Sequence, residues 1–238
     1  MRSGGRGPLE VRPVRIEKAV LKYAEGSALI RMGDTQVLCA ASVKDEVPGF
    51  REAAGAGWVT AEYSLLPRST RERVDREAAK GRIKGRTHEI QRMIGRSLRA
   101  AVDLEAMGPM TVQIDCDVLQ ADGGTRTAAV TGAFVALYQA FETIRGQGRL
   151  DASPIRESVA AVSAGIVGGE ILLDLDYDED RKAQVDLNLV MTSAGRFVEI
   201  QGAAEGAPFD HGQLKDLLNA AETGIRRLLD VQKAVLEL

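Results

Sequence analysis

The sequence predicts an α+β fold with mixed sheets. Strand-like and helix-like segments are interspersed without regular βαβ alternation, and hairpin signals recur. One long segment is apolar almost all round, as a helix central to a core would be.

Taken in order, Val14–Lys18 reads as a short strand. Residues 27–32 and 36–43 alternate apolar and polar side chains, and Gly33-Asp34-Thr35 between them predicts a hairpin. Residues 58–66 form another strand-like run. Residues 67–86 hold almost no apolar side chains, so they predict an exposed, mobile segment. Thr87 has the character of a helix N-cap, with Glu89 in the first turn. Ile90, Met93, Ile94, Leu98, Ala101 and Val102 then recur at helical spacing up to Gly108-Pro109. Val112, Ile114, Cys116 and Val118 alternate as on one face of a strand. Asp122-Gly123-Gly124 turns the chain into the apolar helix, predicted over 125–144. Residues 146–154 link it to four further strands, near 159–167, 171–175, 184–192 and 196–200. An amphipathic helix over about 213–235 closes the chain. No segment has the composition of an interdomain linker, so residues 1–238 are expected to form a single domain.

The composition excludes several classes. No run of eighteen apolar residues exists, so no membrane span is expected, and the basic N-terminus lacks the apolar stretch of a signal peptide. Cys39 and Cys116 each sit in an apolar run and are expected as buried, reduced thiols in a cytoplasmic protein. His88 and His211 are too few for a histidine-rich metal centre, and no nucleophile elbow, Cys-x-x-Cys pair or P-loop is present. The net charge of −3 conceals a strong asymmetry. Residues 1–22 carry six basic against two acidic side chains, residues 68–99 eleven against four, and residues 151–238 eight against sixteen. Such blocks present either a field for phosphates or a solvated, charge-rich surface.

Two segments hold the candidate chemistry. Gly123-Gly124-Thr125-Arg126-Thr127 stands where a strand gives way to a helix, so backbone amides should point out of the helix N-terminus toward an anion. Arg126 in that first turn opposes the helix dipole, and a bound anion would reverse the sign. Arg86, just before the other predicted helix, repeats the pattern. Two guanidinium forks can clamp one phosphate. The second segment is acidic, Asp174 to Asp180, followed by a strand on which Asp186 and Asn188 face away from Val185, Leu187 and Leu189. Asp180, in the turn feeding that strand, can approach Asp186. Such a pair suits Mg²⁺ or Mn²⁺, or one member can serve as a general acid.

These residues resemble the ribonuclease PH family. The similarity runs through Gly57-Trp58-Val59-Thr60-Ala61-Glu62-Tyr63, the segment from Gly85 to Arg99, and Asp117-Val118-Leu119-Gln120-Ala121-Asp122-Gly123-Gly124-Thr125-Arg126. It continues in Glu179-Asp180, Asp186-Leu187-Asn188 and Glu199-Ile200-Gln201-Gly202, covering nearly the whole chain in order; residues 69–79 match less closely. The resemblance implies a ribosomal protein S5 domain 2-like fold and a homohexamer built as a trimer of dimers. It also implies phosphorolytic 3′→5′ trimming of tRNA precursors. Inorganic phosphate would be bound by Arg86, Gly124, Thr125 and Arg126. Asp180 and Asp186 would act with a divalent metal, Mg²⁺ first. Asp178 rivals Asp180 as the first carboxylate; the family's six-residue spacing favours Asp180. Arg68, Arg71, Arg73, Arg76 and Lys80 are expected to contact the tRNA body. A non-catalytic RNA-binding ring subunit and a hydrolytic nuclease remain the competing classes.

Overall fold

The structure is a computed structural model that describes residues 2–77, 79, 81 and 83–238. Two sheets sandwich a long helix. The first sheet contains β1 (Val14–Lys18), β2 (Gly26–Met32), β3 (Thr35–Lys44), β4 (Trp58–Leu65) and β5 (Thr111–Gln120), in the spatial order β1-β2-β3-β5-β4. It is mixed, because β4 runs parallel to β5 while the other pairs are antiparallel. The second sheet, β7-β6-β8-β9, is antiparallel throughout; its strands are β6 (Val159–Val167), β7 (Glu170–Leu173), β8 (Val185–Thr192) and β9 (Phe197–Ala204). Among the helices, α1 (Gly49–Glu52) is a single turn, and α2 (Gly85–Ala100) packs on β4. The central α3 (Thr125–Gly146) touches β2 and β3 of one sheet and β6 of the other. A second single turn, α4 (Tyr177–Asp180), precedes β8, and α5 (His211–Leu236) covers the second sheet and reaches β1. The α+β expectation with mixed sheets therefore stands.

Why α3 is apolar all round follows from its place between the sheets. Phe134, Leu137, Phe141 and Ile144 are fully buried, and each removes a side chain from water that contributes about 1.5–3 kcal/mol. One apolar core links both sheets with α2, α3 and α5. Cys39 and Cys116 face each other across β3 and β5 as buried free thiols with sulfurs 3.8 Å apart. No helix among the described residues is long and apolar enough to cross a membrane.

Three local expectations need correction. Thr87 is not the cap of α2: the helix starts at Gly85 with Lys84 as N-cap and no side-chain cap, so Arg86 stands inside the first turn. Glu77 instead braces the approach to the helix, accepting from the Lys84 N–H at 3.0 Å and the Thr87 hydroxyl at 3.1 Å. A partner outside the local sequence window thus moved the boundary. The helix also stops at Ala100, short of Gly108, because Val102 leaves it to bridge Ile155 and Asp103 Oδ1 accepts from the Glu105 and Ala106 N–H groups. Finally, the acidic turn before β8 closes into α4, with Asp180 as its last residue.

Candidate active site

The first half of the site is the entry to α3. Gly124 is the N-cap in the left-handed region, φ +63, and no side chain among the described residues caps the helix. The N-terminal amides of a 22-residue helix are left for another acceptor. Glycine is required twice here. A Cβ on Gly123, φ +76, would lie 2.5 Å from the Leu175 carbonyl oxygen, and one on Gly124 would lie 3.0 Å from Arg12 Nη2. Beside the entry, the buried Tyr63 on β4 donates its hydroxyl to Thr125 Oγ1 at 2.8 Å. Arg126 is largely buried; its Nη1 donates to Gln201 Oε1 at 3.3 Å and stands 3.9 Å from Glu89. Arg86 is exposed and makes neither hydrogen bond nor ion pair with the described residues.

The second half comes from the other sheet. Asp176 and Glu179 form a capping box around α4, which ends in Asp180. Asp186 is half-buried on β8, with Asn188 Nδ2 3.4 and 3.5 Å from its two oxygens. Loss of water raises the Asp186 carboxyl above its ordinary pKa, and the charge of Asp180 raises it further, while Arg126 and Arg86 pull it back. Asp180 is more open, yet neighbouring protein still withdraws enough water to raise its carboxyl against the same two arginines. Arg86, Arg126, Asp180 and Asp186 therefore share one electrostatic site. Asp178 is exposed and is engaged elsewhere, accepting from Arg71 Nη2 at 3.0 Å. A cavity of about 760 Å³ is lined by Arg6, Arg12, Asp122 and Arg227, among others.

Of the expected RNA contacts, Arg68 is exposed and donates to the Arg71 carbonyl. Arg71 lies over the Tyr177 ring beside α4, Arg73 pairs with Asp75, and the charge of Arg76 reaches Asp117. Lys80 lies outside the described residues. Sequence reasoning gave no role to Tyr63, Gln201 or Arg12. Gln201 and Tyr63 stood in the family-like segments, whereas Arg12 registered only as one charge in a basic block.

The family model for the 3′ exoribonuclease family, domain 1, matches residues 10–141, and that for domain 2 matches residues 157–224. The chain belongs to the 3′ exoribonuclease family. It is 56% identical over 236 residues to ribonuclease PH of Moorella thermoacetica, a span covering 99% of this chain and 94% of the relative. Its fold is similar to that of a chain in the Archaeoglobus fulgidus exosome with RNA bound to the active site, with TM-score 0.82, 25% identity and coverage of 96% and 91%. Rice (Oryza sativa) Rrp46 shares the fold at TM-score 0.79 and 20% identity, with coverage of 99% and 100%. The expected phosphorolytic exoribonuclease of the ribonuclease PH type stands.

Proposed function

We propose that the chain trims the 3′ ends of tRNA precursors by phosphorolysis at the site formed by Arg86, Arg126, Asp180 and Asp186. The single observation that carries this reading is the uncapped α3 entry with two arginines facing two carboxylates of raised pKa. Such a site takes an anion on one side and manages a proton or a cation on the other.

Phosphate is held by Arg86, Arg126, the Thr125 hydroxyl and the amides at Gly124–Thr125. One of its oxygens attacks the phosphorus of the 3′-terminal phosphodiester. The bond from that phosphorus to the preceding 3′-oxygen breaks, releasing a nucleoside diphosphate and an RNA one residue shorter. The leaving oxygen takes a proton from whichever aspartate of the pair holds one; the raised carboxyls support that role. Arginine charge offsets the repulsion between phosphate and RNA. Exchange of a phosphodiester for a phosphoanhydride makes the reaction readily reversible.

Asp180 and Asp186 also fit a divalent ion. No cluster of three or more metal-ligating side chains exists among the described residues, and Mg²⁺ is commonly held by one or two carboxylates with water and substrate phosphates. When bound, Mg²⁺ supplies neutralising charge to the scissile phosphate.

Arg68, Arg71, Arg73, Arg76 and Lys80 grip the tRNA body. The two family regions work as one domain, a reading supported by the core that runs through both sheets. A homohexameric trimer of dimers is supported by Phe197 and Ile200, exposed on the outer strand β9. The cytoplasm, where Cys39 and Cys116 stay reduced, is the proposed setting. Incubation of the protein with 3′-extended tRNA tests the reaction. Nucleoside diphosphates formed only in the presence of phosphate are expected; monophosphates formed without it would establish hydrolysis instead.

A further inference from the structure

Arg12 is only 4% exposed and sits between the two halves of the site. Its Nε and Nη2 donate to Asp174 Oδ2 and Oδ1 at 2.9 and 2.7 Å, and its backbone N–H donates to Oδ2 at 2.8 Å. Asp174 is fully buried and starts the segment leading into α4. The remaining guanidinium N–H groups go elsewhere. Nη1 donates to the Asp122 carbonyl at 2.5 Å, and Nη2 to the Gly123 carbonyl at 3.3 Å. Thr35 Oγ1 donates to the Gly123 carbonyl as well, at 2.7 Å.

A trans peptide points its N–H opposite its carbonyl. Holding the Asp122 and Gly123 carbonyls toward Arg12 therefore turns the Gly123 and Gly124 N–H groups away from it. The same loop rests on the acidic segment, since a Cβ on Gly123 would strike the backbone of Leu175 and Asp176. On the far side, Arg2 grips Glu179 through Nε and Nη2 at 2.7 and 2.9 Å, next to Asp180. An arginine that only neutralised Asp174 would have no need of the two carbonyls.

We propose that Arg12 is a positioning residue for phosphorolysis, fixing the Gly123 and Gly124 peptides to the segment that carries Asp180. It thereby sets the separation between bound phosphate and Asp180. This rests on the site reading given above.

The test uses Arg12→Lys, which keeps a charge beside Asp174 but lacks the planar fork, and Asp174→Asn, which keeps an acceptor and tolerates the positive φ of +54. Expected in both is a rise in KM for phosphate on the order of 10–100-fold, as displacement of reacting groups produces. Binding of a short RNA should stay within about twofold, since RNA-backbone contacts are untouched. The melting temperature of the parent should rise with added inorganic phosphate, and that rise should shrink in the variants. Lost kcat in proportion to lost folded protein, with KM for phosphate and the phosphate-dependent rise unchanged, would overturn the proposal in favour of a purely structural brace. Where Arg12→Lys does not fold, the charge-neutral pair Arg12→Met with Asp174→Asn is measured in its place, under the same two criteria. A parent that releases no nucleoside diphosphate refutes the reaction reading instead, and Arg12 is then judged on the phosphate-dependent melting shift alone.

Discussion

Arg126 occupies the first turn of α3, where the helix dipole disfavours a cation, and among the described residues its one hydrogen bond, to the neutral Gln201, leaves most of its donors open. Arg126→Ala is expected to raise KM for phosphate steeply while RNA affinity persists, a loss of about 2–4 kcal/mol at a desolvated charged contact. Phosphate-titrated rates would detect it, and a near-normal phosphate dependence would remove Arg126 from the site. Asp186→Asn keeps the shape and deletes one charge, so turnover should fall by roughly 10²–10⁴ with RNA binding retained. Asp178→Asn should lose little, because that carboxylate is turned toward Arg71; equal damage from both would move the catalytic pair. Asp117 on β5 offers a test of stability. Burial raises its carboxyl, and the charge of Asp115 adds to the rise. With the folded pKa above the unfolded one, the folded state binds more protons between the two values, and stability falls as pH rises through that window. Asp117→Asn should therefore melt higher than the parent at pH 7.5, with the gap closing as pH falls into the ordinary carboxylate range. A gap independent of pH would show that charge is not its cause.

At the level of elements, the α3 entry and α4 are the pieces that must fit. Gly123→Ala adds a Cβ against the Leu175 carbonyl and imposes a side chain at φ +76, a strain of order 1–3 kcal/mol before any clash is relieved. It should lower the melting temperature and weaken phosphate saturation together. A stable variant with normal kinetics would mean that the loop relaxes freely. These elements were unequally legible in the sequence. Strands β1 and β6 follow from their own patterns, and the alternation of Val112, Ile114, Cys116 and Val118 describes the buried face of β5. The glycine pair and Arg126 declared the anion-binding entry because their local preferences conflict with an ordinary helix start. Helix α4 did not declare itself: four residues, three of them acidic, have no apolar stripe, and the capping box of Asp176 and Glu179 holds them instead. The start of α2 was hidden for a related reason: Lys84, its N-cap, offers no capping side chain, and the Lys84 N–H and Thr87 hydroxyl go to Glu77.

For the whole molecule, the basic segment before α2 and the acidic second half meet at the mouth of the site, through Arg71 and Asp178. That pair is exposed and screened by solvent, so RNA phosphates can readily compete for the arginine. Replacing Arg68, Arg71 and Arg73 together with Ala should weaken tRNA binding and flatten its salt dependence, while phosphorolysis of a short oligonucleotide changes much less. Proportional loss on both substrates, with assembly intact by light scattering, would assign the segment to the chemistry itself. The grip of Arg12 on Asp174 spans a sequence separation of 162 residues. Arg12 leaves the ribosome early, yet its carboxylate partner is made only after roughly 10–30 s of further synthesis at ordinary elongation rates. Until then Arg12 and Thr35 can reach the carbonyls of Asp122 and Gly123, but no buried carboxylate holds the Arg12 fork in place. The anion loop and the acidic half of the site are thus joined only late in synthesis, when the last-made partner of a buried pair arrives.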